Sequence, residues 1–167
     1  MRSSLSRQFA AETYPTRGGV GGQGLPYARN SAQQATNGLL TTTAATPVHW
    51  VQLEIPNAGG TNVPITPRVT GVLLVIATIG VSNADTVPHN LTVTVAVGGG
   101  GISPAAVATV PAGGSASVPV QCMLFSESEI GTTLEVSVVV TASAANELTL
   151  IAAQSLLTVQ EISLPTG

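Results

Sequence analysis

Few side chains in this sequence can do acid, base or nucleophilic chemistry. The histidines are His49 and His89, the one cysteine is Cys122, and Asp85 is the one aspartate. Asp85 and His89 lie in a loop before a predicted strand, so a nucleophile–base arrangement is not forbidden, but no motif selects one. Two histidines and one aspartate are also too few for a convincing metal site. We therefore predict that the chain is not an enzyme and holds no catalytic metal.

Two glycine-rich stretches have features of nucleotide-binding loops. Gly19, Gly21 and Gly24 fit the spacing G-x-G-x-x-G, but no buried strand precedes them and no helix follows them. The run 98–101 is four glycines, yet a phosphate-binding loop needs a lysine and the chain has none. We predict that the second stretch is a hairpin connection and that the chain binds no cofactor.

Glu127 and Glu129 form a pair of nearby carboxylates. Glycosidases use two carboxylates, and their clefts usually offer aromatic platforms to the sugar. Aromatic residues make up only 3% of this chain. The pair therefore indicates a solvated loop or a divalent-ion contact on a symmetry axis, and both interpretations stay open.

The composition indicates a surface that is covered in an assembly. Apolar residues make up 44% of the chain and charged residues only 8%, whereas soluble domains carry about 25% charge. A monomer with so few charges has little to keep its surface soluble. The alternative is a small, neutral β domain from an organism that uses little lysine.

Residues 1–46 are predicted to form an extended, basic N-terminal arm. They hold four arginines against one glutamate, a charge of +3, whereas residues 47–167 hold one arginine against seven acidic residues, a charge of −6. The arginines are too sparse for a nucleic-acid tail, so we expect no nucleic-acid partner. The residues predicted to anchor the arm on a partner are Arg2, Arg7, Phe9, Tyr14, Arg17, Leu25, Tyr27 and Arg29.

Residues 47–167 are predicted to form one all-β domain. Alternation of apolar and polar residues, as in 91–97 and 134–140, is typical of half-buried strands. The apolar run 69–81 is shorter than the roughly 20 residues of a membrane helix and is better explained as a buried strand, so no membrane span is expected. The turn 111–114 is predicted to close a hairpin. Eight strand-like runs predict an eight-stranded jelly-roll-like sandwich: 48–55, 69–81, 91–97, 106–110, 115–124, 134–142, 148–152 and 155–162.

Four stretches carry a resemblance to a known family. They are 71–83, 91–97, 109–118 and 156–162, which follow the order of a long early strand, an N-x-T-V-x-V strand, a P-A-G-G turn and a last central strand. In this order the body resembles the small jelly-roll modules of phage and bacterial surface assemblies, which are similar to C1q/TNF-like trimeric heads.

The resemblance implies a structural protein of a virion. The expected role is a capsid decoration or cement protein, a homotrimer on the capsid surface whose partners are the major capsid protein, other virion proteins and itself. Two alternatives stay open: a receptor- or glycan-binding head of a fibre or tail, and a small jelly-roll coat protein. Loops that are mostly Gly, Ala, Ser and Asn favour decoration over recognition of a receptor.

Overall fold

The computed structural model describes residues 28–53, 59–69, 71–98, 100–101, 103–125 and 130–163. Within these ranges the chain is all β and has no helix, so none that is long and apolar enough to cross a membrane. The strands, in chain order, are β1 (Arg29–Gln34), β2 (Gly38–Leu39), β3 (Thr46–Pro47), β4 (Trp50–Gln52), β5 (Gly59–Gly60), β6 (Asn62–Ile65), β7 (Gly71–Asn83), β8 (His89–Val97), β9 (Gly100–Gly101), β10 (Ala106–Val110), β11 (Ser115–Phe125), β12 (Leu134–Ala142) and β13 (Leu148–Ser163).

The strands form two antiparallel sheets. The seven-stranded sheet has the order β11-β7-β13-β1-β4-β5, and β2 pairs with β13. The six-stranded sheet has the order β10-β8-β12-β3, with β6 paired to β12 and β9 to β8. The sheets face each other across one apolar core, so the predicted all-β sandwich is confirmed.

The core follows from the two-residue period of the strands. In β8, Leu91, Val93 and Val95 are fully buried, while Thr92 and Thr94 between them are only partly buried. The register places Val95 opposite Val138 of β12, so aliphatic side chains meet on the inner face. The alternation read from the sequence therefore predicts this face correctly.

The bulge in β13 explains why one long strand was predicted as two. The register between β13 and β7 shifts between Ile151 and Leu156, and pairing resumes on both sides of the shift. A β-bulge inserts residues into one strand without ending it. The polar residues in 152–155 mark this bulge and not a turn.

The predicted hairpin at 111–114 is wrong. The turn itself is tight, since the Gly114 N–H donates to the Pro111 carbonyl at 3.1 Å. However, β10 pairs with β8 in one sheet and β11 pairs with β7 in the other. The Gly113 N–H also donates to the Asp85 carbonyl, and the Asn83 N–H to the Gly114 carbonyl. These hydrogen bonds join the turn to Asn83 and Asp85, at the connection from β7 in one sheet to β8 in the other. The turn at 111–114 likewise runs from one sheet to the other and does not close a hairpin.

The sandwich also includes residues that the sequence assigned to the arm. Residues 29–34 form β1 between β13 and β4, although their sequence is RNSAQQ. Ala32 is the one apolar side chain of this strand and is fully buried. Asn30 points inward, where its Nδ2 donates to Gln52 Oε1 and to the Pro64 carbonyl. Polar side chains that bond inside the sandwich replace the apolar alternation that marks most strands.

Candidate assembly surface

Asp85 and His89 come together as their spacing allows. His89 Nε2 lies 2.7 Å from Asp85 Oδ2, and the side chains are 13% and 28% exposed, respectively. This hydrogen bond, together with one from the backbone N–H of Thr86, holds the pKa of Asp85 below its ordinary value of 3.8. Cys122 lies seven residues along β11 from the end where β11 meets this loop, about 20 Å away. The thiol of Cys122 is therefore not within reach of the Asp85–His89 pair.

The Asp85 loop is part of a hydrogen-bonded end of the sandwich. Asn83 is 2% exposed, and its Nδ2 donates to the Val87 and Val110 carbonyls while its Oδ1 accepts from the Asp85 N–H. The Ala84 N–H donates to the Glu147 carbonyl. We call this the Asn83 end, and it lies opposite the end at which β1 begins. The Asp85–His89 pair thus belongs to a fixed loop structure.

The remaining chemical candidates do not converge. Cys122 is buried in the core, and burial raises the pKa of its thiol, as expected for a small hydrophobic residue. His49 is exposed beside the buried Trp50. Glu127 and Glu129 lie outside the described residues. Within the described ranges no group of three or more His, Cys, Asp or Glu side chains is placed to hold a metal ion.

One residue of the predicted arm anchors is described. Arg29 is exposed, begins β1 and lies opposite Gln160, on the solvent side of the seven-stranded sheet. The other anchors lie outside the described residues, and their role stays a prediction: Arg2, Arg7, Phe9, Tyr14, Arg17, Leu25 and Tyr27.

Four large apolar side chains are exposed on the solvent side of the seven-stranded sheet. Ile76 is 42% exposed, Met123 69%, Leu156 47% and Ile162 39%. Met123 lies opposite the partly buried Leu74, which precedes Ile76 by two residues on the same face of β7. Leu156 lies opposite Thr78 and Ile162 opposite Val72, so these positions also belong to this face. We call the four exposed side chains, Ile76, Met123, Leu156 and Ile162, the apolar patch.

Uncharged polar side chains lie within the apolar patch as well as beside it. Gln121 of β11 and Thr158 of β13 both lie opposite Ile76. The other polar residues at outward positions of β13 and β1 are Gln160, Arg29, Ser31 and Gln33. Among the described residues of β1, β7, β11 and β13, Arg29 is the one charged side chain that faces solvent here. A scarcity of charged side chains around exposed apolar ones is typical of the core of a protein–protein interface.

The other sheet has a different solvent side. Thr92 of β8 lies opposite Thr141 of β12, and Thr94 lies opposite Val139. Asn90 lies opposite Thr109 of β10, and Thr109 Oγ1 donates to Asn90 Oδ1. Val107 is 62% exposed but has Thr92 as its cross-strand neighbour. Mixed hydroxyl and apolar positions suit a surface in contact with water.

The bulge in β13 shapes the apolar side. Ser155 is fully buried, accepts from the Gly80 N–H at 3.1 Å and donates to the Ile151 carbonyl at 2.8 Å. A Cβ at Gly80 would lie 2.4 Å from the Cβ of Gln154. The glycine is therefore required, because the bulged chain passes directly over β7 and displaces Leu156 to the edge of the patch.

The residues of the apolar patch were not identified from the sequence, although a signal was present. The run 71–77 is apolar at almost every position, so both faces of β7 are apolar. Such a continuous run is typical of strands buried on both sides. In a two-sheet sandwich only one side faces the core, and the second apolar side therefore indicates a further contact.

Solved structures share this fold at low sequence identity. The structure of Eiger TNF from S. frugiperda has a TM-score of 0.53 and 14% identity, with 86% of this chain and 97% of that chain covered. The crystal structure of murine APRIL at pH 5.0 has a TM-score of 0.51 and 14% identity, with 81% and 99% covered. These values show the fold alone, and they confirm a TNF-like jelly roll. No protein-family model matches the chain, and no curated protein is significantly similar in sequence.

Proposed function

We propose that this chain is a non-enzymatic structural protein of a virion. In this role it self-associates through the apolar patch and decorates a phage capsid, to which the basic N-terminal arm attaches it. The apolar patch is the observation that carries the proposal. The jelly-roll fold, the scarcity of charge and the basic arm support it.

Self-association is supported by the energetics of the patch. Covering a partly exposed Ile, Leu or Met side chain contributes about 1 kcal/mol, and a symmetric assembly covers the same side chains in every copy. No charged side chain of the described strands opposes contact at the centre of the patch. We expect a homotrimer, as the resemblance to C1q/TNF-like heads implies.

The test of self-association is the solution mass of the full chain by light scattering. Ile76→Glu places a carboxylate in the centre of the patch, and we expect it to weaken assembly by about a hundredfold, because a buried unpaired charge is costly. Val107→Glu is the matched control, since Val107 is even more exposed but lies on the other sheet. A wild-type monomer, or an Ile76→Glu protein that assembles normally, would contradict the proposal.

Attachment by the arm is tested separately on particles. We expect Arg2, Arg7 and Arg17, changed together to Gln in the full chain, to weaken binding to capsids that lack the protein. Phe9→Ala with Tyr14→Ala should weaken binding further, because aromatic anchors contribute much of the energy of an interface. Particles saturated with the wild-type chain should then release their genome at a higher temperature than bare particles.

The same experiments separate the alternatives. A fibre or tail head that binds a receptor or glycan would leave the heat resistance of particles unchanged and would bind a glycan array. A small coat protein would form closed shells from the full chain alone, and electron microscopy would show them. Either result would replace the decoration role and leave the self-association surface intact.

A further inference from the structure

Glu161 connects three separate parts of the chain. It lies on β13 and is 1% exposed. Its Oε2 accepts a hydrogen bond from the Ala28 N–H, and its Oε1 accepts from the N–H groups of Arg68 and Val69, each at 2.8 Å. The Glu161 N–H donates to the Ala28 carbonyl at 2.8 Å. One buried carboxyl group therefore receives three backbone donors from two distant segments.

One segment lies where the described body begins, and the other lies shortly before β7 begins. Ala28 directly precedes β1, and it is where the N-terminal residues join the described body. Arg68 and Val69 lead into β7, which carries part of the apolar patch. The ladder between β1 and β13 begins at the Arg29–Gln160 pair, and at Ala28 the N–H leaves the ladder for the carboxyl group. Glu161 therefore holds the backbone of Ala28, the first described residue, in place.

We propose that Glu161 is a latch that holds Ala28 against β13, at the point where residues 1–27 of the predicted arm lead into the sandwich. This inference rests on the proposed function, in which the arm attaches the protein to a particle. A fixed joint lets an attached arm orient the whole body, because less rotational freedom is lost when the body docks. The three donors to the Glu161 carboxyl group described above are all backbone N–H groups.

Trypsin provides a direct test, because every cationic side chain of this lysine-free sequence is an arginine. Cleavage after Arg68 breaks the bond to Val69, whose N–H is held by Glu161. Cleavage after Arg29 requires the start of β1 to open. Arg17 precedes the latch and serves as an internal reference. E161Q is compared with E135Q, which changes an exposed glutamate on β12.

We expect E161Q to speed cleavage after Arg29 and Arg68 about tenfold relative to cleavage after Arg17, because an amide NH₂ replaces one acceptor and leaves a buried N–H unpaired. E135Q should match the wild type. Unchanged cleavage of E161Q at both sites would overturn the latch.

Hydrogen exchange separates local opening from general loss of stability. In E161Q the amides of Ala28, Arg68 and Val69 should exchange faster, while those of Asn83 and Gly113 at the Asn83 end should keep their wild-type rates. Equal acceleration at both ends would overturn a local latch. Light scattering on the same samples distinguishes the two proposals, since a monomeric wild type contradicts the proposed assembly without changing the cleavage result.

Discussion

Gly80 shows how one missing side chain permits the bulge of β13. A Cβ there would lie 2.4 Å from Gln154 Cβ, so we expect Gly80→Ala to lower the free energy of unfolding by about 1–3 kcal/mol through overpacking. Gly38→Ala is the control, because its Cβ would have an ordinary contact at 3.8 Å. Urea denaturation measures both. Equal free energies of unfolding for the two variants would show that the bulge shifts to accommodate the new Cβ without loss of stability.

The ionisation of Asp85 should make the stability of the fold depend on pH. Its pKa is lowered by the hydrogen bond from His89 and by the Thr86 N–H, so its ionised form is stabilised on folding. That contribution is complete above the ordinary value of 3.8 and is lost as the pH falls through the lowered folded value. We therefore expect Asp85→Asn to be less stable than the wild type at neutral pH and to approach it as the pH falls below the ordinary value of 3.8. A stability difference that stays constant over this range would contradict this assignment.

At the scale of the elements, Asn83 couples the two sheets. It ends β7 in one sheet, and its side chain bonds to the carbonyl of Val110, which ends β10 in the other. Asn83→Ala leaves buried backbone groups without partners and should cost about 1–3 kcal/mol. Asn90→Ala is the control, because Asn90 is exposed and bonds only at the surface. Equal midpoints of thermal unfolding for Asn83→Ala and Asn90→Ala would contradict this coupling.

The strands differ in how far their sequence predicts them. β8 and β12 alternate over most of their length because one face meets the core and the other meets water, so their inner residues follow from the pattern. The bounds of β12 also match the prediction, whereas β8 begins at His89, two residues before the predicted run 91–97. β1 does not alternate in hydrophobicity, and its inward Asn30 donates through Nδ2 to Gln52 and Pro64, which are distant in sequence. From the sequence alone, Glu161 would be taken for an exposed charge. Its three backbone donors are brought to it only when the chain is folded. Contacts of this kind depend on the register of several strands at once.

In the part of the chain that the structure describes, the solvent side of the seven-stranded sheet carries one charged side chain, Arg29. All five arginines lie at positions 2–29 or at 68, whereas the apolar patch and its described surroundings hold Arg29 alone. Attachment through the arm should therefore be electrostatic, and self-association should be hydrophobic. These two contacts respond differently to salt, because screening weakens exposed charge pairs and leaves apolar burial intact.

We accordingly expect a rise from about 0.1 M to about 1 M salt to release the protein from particles while its oligomeric mass stays unchanged. Sedimentation of particles measures release, and light scattering of the released fraction measures the mass. The variant with Arg2, Arg7 and Arg17 changed to Gln serves as the control, since its weaker binding should depend less on salt. Dissociation of the oligomer at high salt would show that charged groups hold the copies together, and the apolar patch would then not be the assembly surface.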